Sequence, residues 1–129
     1  MQSDGIRILI AEDNALLRGV LRDALEEAGM TVVGEASDGA EAVTVAERML
    51  PDVVVMDMRM PNVDGIEATE QIAGADWAMP VVVLSAYDEP QMIEAALAAG
   101  ATNCLKKGVG LDELIEAIRA ADRGAEAAS

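Results

Sequence analysis

The chain has 129 residues, which predicts a single domain, and 52% of them are hydrophobic, which is enough for a packed core. Its formal net charge of −15 disfavours direct binding to nucleic acid or to an anionic membrane, because polyanions would be repelled. The sequence has no histidine, which excludes histidine bases, histidine metal ligands and a phosphohistidine donor within the chain. The single cysteine, Cys104, excludes an internal disulfide and a multi-cysteine zinc site.

No apolar run reaches about 18 residues, and the N-terminal residues lack the basic and apolar pattern of a secretion signal. We therefore expect a soluble cytoplasmic protein. Aromatic residues make up only 2% of the chain, so few side chains are available to stack on nucleic-acid bases or flavin rings.

Short apolar runs alternate with segments of helical period along the whole chain, a rhythm typical of βαβ units and a parallel sheet. The predicted elements, in chain order, are a strand over 6–11, a helix over 17–28, a strand over 31–36, a helix from 38 that ends before 51, a strand over 53–56, a helix over 66–73, a strand over 81–84, a helix over 90–99, a strand over 103–106 and a helix through 111–118.

Several helix ends carry recognisable capping residues. Gly29 and Gly100 suit C-terminal caps, and Pro90 suits a first helical turn. Asp38 with Glu41 three residues later resembles a capping box. These signals place the helix boundaries independently of the apolar pattern.

Five strands alternating with five helices predict a flavodoxin-like (βα)5 fold, an α/β three-layer sandwich. The expected order of the parallel five-stranded sheet is 2-1-3-4-5. We expect this domain to occupy residues 1–122 and the small, polar residues 123–129 to form a flexible tail or the start of a linker.

Polar side chains stand where the predicted strands end. Because parallel strands present their carboxyl ends at one edge of a sheet, about 4.8 Å apart, these side chains should meet there. They are Glu12 and Asp13 after the first strand, Asp57 after the third, Ser85 after the fourth, and Lys106 and Lys107 at the end of the fifth.

Three crowded carboxylates repel one another, and Mg²⁺ is the expected counter-charge because it prefers oxygen ligands. Carboxylates beside Mg²⁺, with a lysine and a hydroxyl, are typical of a phosphoryl-transfer site. Asp57 would act as the nucleophile, Asp13 would hold the metal directly, and Glu12 would help through water. Ser85 would donate a hydrogen bond to the phosphoryl group and draw the following loop toward the site.

The chain resembles the receiver domain of bacterial two-component response regulators over about residues 6–121. The matching segments are residues 8–14 (ILIAEDN), 54–61 (VVMDMRMP), 64–65 (DG), 82–86 (VVLSA) and 100–107 (GATNCLKK). The sequences of residues 38–42 (DGAEA) and 114–118 (LIEAI) are most similar to those of receivers of the LuxR-type (NarL/FixJ-like) subfamily.

The resemblance implies that Asp57 accepts a phosphoryl group from a phosphohistidine on a sensor histidine kinase. It implies Mg²⁺ on Asp13, Asp57 and the main-chain carbonyl of Arg59. Lys107, three residues after Cys104, matches the family's lysine better than Lys106 does.

The resemblance further implies Mg²⁺-dependent self-phosphorylation and self-dephosphorylation without turnover of an external substrate. The output would be control of transcription through an attached or separate effector, such as a helix-turn-helix domain. The faces around the first, fourth and fifth helices are candidates for a homodimer or for partner docking, and the pattern does not choose among them.

Two positions depart from the family's pattern. Cys104 stands where the family usually has the switch residue Tyr or Phe, and Tyr87, two residues after Ser85, is a candidate substitute. Gly108 replaces the proline that often follows the lysine, although glycine also permits an unusual backbone there.

Three other functions stay open beside the phosphorylated switch. A receiver-like docking module that works without phosphate is the main alternative. A flavodoxin-like cofactor carrier would need a hydroxyl- and glycine-rich phosphate loop where Glu12 and Asp13 stand. A phosphatase using an aspartyl nucleophile would need a second aspartate two residues after Asp57, where Arg59 stands.

Overall fold

The computed structural model describes residues 5–58, 60, 63–85 and 90–128. Its ten elements alternate strand and helix along the chain. They are β1 (Arg7–Ala11), α1 (Ala15–Glu27), β2 (Thr31–Ala36), α2 (Gly39–Met49), β3 (Val53–Asp57), α3 (Gly65–Ala73), β4 (Val81–Ser85), α4 (Pro90–Ala98), β5 (Asn103–Lys106) and α5 (Leu111–Ala128). Among the residues that the structure describes, no helix is both long and apolar enough to span a membrane.

The five strands form one parallel sheet in the order β2-β1-β3-β4-β5, as predicted. Alternate strand residues enter two separate apolar clusters, one on each face of the sheet. Side chains of α1 and α5 cover one face, and side chains of α2, α3 and α4 cover the other. The central strands β3 and β4 are buried along their whole length, which accounts for their unbroken apolar sequences.

Helix caps set how the chain leaves the strands at the carboxyl edge of the sheet. The Asn14 side chain accepts a hydrogen bond from the main-chain N–H of Leu17 at the start of α1. Asp64 plays the same part for α3, accepting from the N–H of Glu67 at 2.9 Å. Each cap satisfies one of the free N–H groups of a first helical turn and so fixes the loop before it.

Helix α5 runs past the predicted span 111–118 and continues to Ala128, through most of the segment 123–129 that we expect to be a flexible tail or the start of a linker. The residues of this segment are small and polar, but three of the seven are alanine, the strongest helix former. Extending an established helix needs no new nucleus, so these residues continue α5 despite Gly124.

Candidate functional site

The carboxyl ends of β1 and β3 bring three acidic side chains together. Oxygen atoms of Glu12, Asp13 and Asp57 all lie within 4.8 Å of one another. Glu12 and Asp57 are only 1% and 4% exposed, whereas Asp13 is exposed. The expected meeting of residues from separate segments therefore occurs at the edge of the sheet, with one carboxylate facing solvent.

Lys107 is the cation that enters this acidic cluster. Its Nζ lies 3.0 Å from Oε1 of Glu12 and 3.1 Å from Oδ1 of Asp57. Lys106, the last residue of β5, is exposed. Burial alone would lower the pKa of Lys107, but its hydrogen bonds to the two carboxylates outweigh burial and raise that pKa above its ordinary value.

Burial of Glu12 raises the pKa of its carboxyl from 4.5 to about 7. The nearby acids Asp13 and Asp57 contribute in the same direction, while the main-chain N–H of Asn14 and the Lys107 ammonium oppose it. Burial therefore favours a proton on the Glu12 carboxyl up to a higher pH than in water.

We expect this proton to make stability depend on pH. Because the folded-state pKa of Glu12 exceeds the unfolded value, its contribution to the free energy of unfolding is complete below pH 4.5 and is lost as the pH rises through about 7. Denaturant unfolding at several pH values, without divalent cations, measures this contribution. The free energy of unfolding of Glu12→Gln relative to the wild type should rise across this window, by at most roughly 3 kcal/mol. A difference that stays constant with pH would contradict the raised pKa.

Ser85 ends β4 and is 1% exposed, and it follows Leu84, the residue that pairs with Asp57 at the end of β3. Its main-chain oxygen accepts a hydrogen bond of 2.6 Å from the N–H of Lys107, which links the ends of β4 and β5. Gly108 follows with a φ of +99°, a left-handed conformation that glycine adopts without strain. The lysine is thus fixed by the strand before it and by a glycine turn after it.

Cys104 lies in β5, is partly buried and packs against the apolar cluster on the α2–α4 face. Burial raises the pKa of its thiol, so the thiol is a packing group at neutral pH. Two further predicted site residues, Arg59 and Tyr87, lie outside the described residues.

Two residues shape the site in ways that sequence reasoning did not predict. The Arg18 guanidinium donates a hydrogen bond of 2.7 Å to the main-chain oxygen of Glu12. A Cβ on Gly65 would overlap the main-chain oxygen of Asp57, so α3 begins against the end of β3 only because residue 65 is glycine. The Asp64–Gly65 pair was noticed as part of a family motif, but no pattern in the sequence pointed to Arg18.

The donor set of the cluster fits a hard divalent cation. Three carboxylates offer oxygen ligands close together and, among the described residues, the Lys107 ammonium that contacts Glu12 and Asp57 leaves an excess of negative charge. Such oxygen-rich, partly solvated sites suit Mg²⁺, which keeps several water ligands. Carboxylates, an ammonium and oxygen ligands suited to a cation, close together in one cluster, are what phosphoryl transfer onto an aspartate requires.

Comparison with known proteins supports this interpretation. Residues 8–119 match the family described as the response regulator receiver domain. The chain is 48% identical over 115 residues to the transcriptional regulatory protein PdtaR of Mycobacterium tuberculosis, covering 89% of this chain and 56% of that protein. It is 37% identical to the chemotaxis protein CheY of Thermotoga maritima, over 88% of this chain and 95% of CheY.

Among solved structures, the signal receiver domain of the response regulator NarL from M. tuberculosis superposes with a TM-score of 0.89 at 33% identity, covering 93% of this chain and 98% of that domain. The chain spans about half the length of the first curated relatives that it matches. The family match, the sheet order and the acidic edge agree, and the chain belongs to the response regulator receiver domain family.

Proposed function

We propose that this chain works as a phosphorylation-activated switch in which Asp57 accepts the phosphoryl group. The observation that carries the proposal is the contact of one Asp57 oxygen with Lys107 at 3.1 Å, inside a cluster with Glu12 and Asp13. The donor would be a phosphohistidine on a sensor histidine kinase, since receiver domains of response regulators generally partner with such kinases.

The reaction needs little from the protein beyond positioning and charge. A carboxylate oxygen of Asp57 attacks phosphorus, and the bond from phosphorus to the donor's imidazole nitrogen breaks as the new acyl phosphate forms. The Lys107 ammonium would pair with a phosphoryl oxygen, and the main-chain N–H of Lys107, which donates to the main-chain oxygen of Ser85, holds the residue in place. Hydrolysis of the acyl phosphate by water resets the switch, so we expect no turnover of an external substrate.

Receiver domains generally bind Mg²⁺, and in this chain Asp13 and Asp57 would hold it directly and Glu12 through water. Following the family resemblance, the main-chain carbonyl of Arg59 would complete the protein ligands. The bound ion would supply positive charge that offsets the charge on the phosphoryl oxygens.

Ser85 is the proposed link from the phosphoryl group to the rest of the molecule. It is buried at the end of β4, where its hydroxyl would donate a hydrogen bond to the modified Asp57 and draw in the loop that follows. Cys104 occupies the place of the family's switch aromatic, and Tyr87 is our candidate to replace that ring. The output would therefore run through the loop after β4 instead of through β5.

We place the switch in the cytoplasm, upstream of an effector. The 115 residues aligned with the transcriptional regulatory protein PdtaR cover only 56% of it, so a helix-turn-helix or other effector, attached or separate, would control transcription. A phosphate-dependent homodimer is one way for the receiver to drive that effector. With a net charge of −15, the receiver itself would not contact nucleic acid.

Intact-mass spectrometry tests the proposal on the wild-type chain. Incubation with acetyl phosphate and millimolar Mg²⁺ should add one phosphoryl group, and chelation of Mg²⁺ should suppress the adduct. An unmodified mass under both conditions would reject the switch and leave the phosphate-independent docking module as the function of this chain.

A further inference from the structure

Arg18, on α1, reaches back to the main chain beneath the acidic cluster. Its Nη1 donates a hydrogen bond of 2.7 Å to the main-chain oxygen of Glu12, and its Nε lies 3.2 Å from a carboxylate oxygen of Glu35 on β2. The Arg18 side chain is 21% exposed. A charged donor at 2.7 Å forms a stronger hydrogen bond than a neutral pair, and the partial burial limits competition from water.

This hydrogen bond acts on the peptide group that joins Glu12 to Asp13. The carbonyl of Glu12 and the N–H of Asp13 belong to one rigid plane, so holding the oxygen also fixes the direction in which Asp13 leaves the strand. Two further bonds tie the same turn: the N–H of Asn14 donates to Oε2 of Glu12, and the N–H of Arg18 donates to the oxygen of Asn14.

The position of the Asp13 carboxylate depends on this turn more than the positions of the Glu12 and Asp57 carboxylates do. Glu12 and Asp57 are buried and paired with Lys107, whereas Asp13 is exposed and projects from the loop between β1 and α1. We propose that Arg18 is a positioning residue that fixes the Glu12–Asp13 peptide and thereby aims the Asp13 carboxylate at the cation site. This inference rests on the proposed function, in which Asp13 is a metal ligand.

Replacing Arg18 should change the Mg²⁺ affinity in opposite directions if the residue acts by positioning Asp13 or only by its charge, which makes the inference testable. Removing the Arg18 charge lowers the positive potential near the carboxylates, which would tighten Mg²⁺ binding if charge were the only effect. Removing the hydrogen bond frees the peptide and weakens binding. Loss of a group that orients a metal ligand typically costs 10- to 100-fold in metal affinity, so we expect the second effect to prevail.

Arg22 provides a matched control. It pairs with the same carboxylate, its Nη1 lying 3.3 Å from Glu35, and it has no hydrogen bond to Glu12 among the described contacts. Titration calorimetry with Mg²⁺ alone should show binding weakened roughly 10-fold in Arg18→Gln. Arg22→Gln, which loses the same charge, should bind as tightly as the wild type or slightly tighter. Arg18→Lys, which keeps a charged donor, should fall between Arg18→Gln and the wild type.

A second measurement needs no metal and no phosphate. Amide hydrogen exchange by NMR should show several-fold faster exchange of the Asn14 amide in Arg18→Gln than in Arg22→Gln, because the turn holding that amide is loosened. Equal Mg²⁺ affinities in the two glutamine variants, or equal exchange of the Asn14 amide, would overturn the inference. A wild-type chain that fails to accept phosphate would instead reject the proposed function, while amide exchange still decides the role of Arg18.

Discussion

Replacing Asp57 with asparagine should abolish the phosphoryl adduct that the wild-type chain forms with acetyl phosphate and Mg²⁺. The amide keeps the shape of the side chain but removes the anionic oxygen that attacks phosphorus. Glu12 lies in the same cluster, so this variant also tests whether Asp57 or Glu12 is the acceptor. Intact-mass spectrometry after a fixed incubation reports the loss directly.

Asp64→Asn is the matched control for this substitution. Asp64 is exposed and caps α3 through its side chain, and asparagine caps helices equally well. This variant changes the charge by the same amount close to the site and should be labelled like the wild type. If Asp57→Asn still gained one phosphoryl group, another residue would be the acceptor and the proposed chemistry would have to be reassigned.

Replacing Asp13 with asparagine should weaken Mg²⁺ binding by at least about 10-fold, because the substitution removes a direct anionic ligand. The same change should stabilise the metal-free protein, by about 1 kcal/mol for an exposed carboxylate near two others, because it relieves repulsion. Titration calorimetry measures the first effect and denaturant unfolding in a chelator measures the second. Labelling by acetyl phosphate should slow together with the loss of affinity.

Asp76→Asn is the control that separates the local effect of Asp13→Asn at the cation site from the effect of removing one negative charge from the protein. Asp76 is exposed in the turn between α3 and β4, at the opposite edge of the sheet, and its replacement removes the same charge. It should leave both Mg²⁺ affinity and stability close to those of the wild type. Equal behaviour of the two variants would mean that Asp13 does not belong to the cation site.

The sequence predicted the sheet and the identity of its acidic edge because both follow from short-range patterns. Unbroken apolar runs located β3 and β4, and the rule that parallel strands end at one edge brought Asp57 near the residues after β1. The choice of Lys107 over Lys106 came from the family's spacing, and the ion pairs with Glu12 and Asp57 now give it a physical reason.

Other features could not be predicted because they depend on contacts between distant segments. The pKa of Glu12 is raised mainly by its burial in the folded protein, and the Arg18 contact joins a side chain of α1 to the main chain after β1. The extension of α5 was missed for a different reason: its residues suit both a linker and a helix, and only attachment to an existing helix decides between them. The roles of Arg59 and Tyr87 stay predictions.

The position of Lys107 also determines which ions can compete for the acidic edge. Its ammonium is tethered to the chain, so the carboxylates of Glu12 and Asp57 experience it at a very high effective concentration. Sodium or potassium ions carry the same single charge and have no advantage over it, even at cellular abundance. A doubly charged ion gains about twice the Coulomb energy from each carboxylate. We therefore expect Lys107 to make the edge select divalent over monovalent cations.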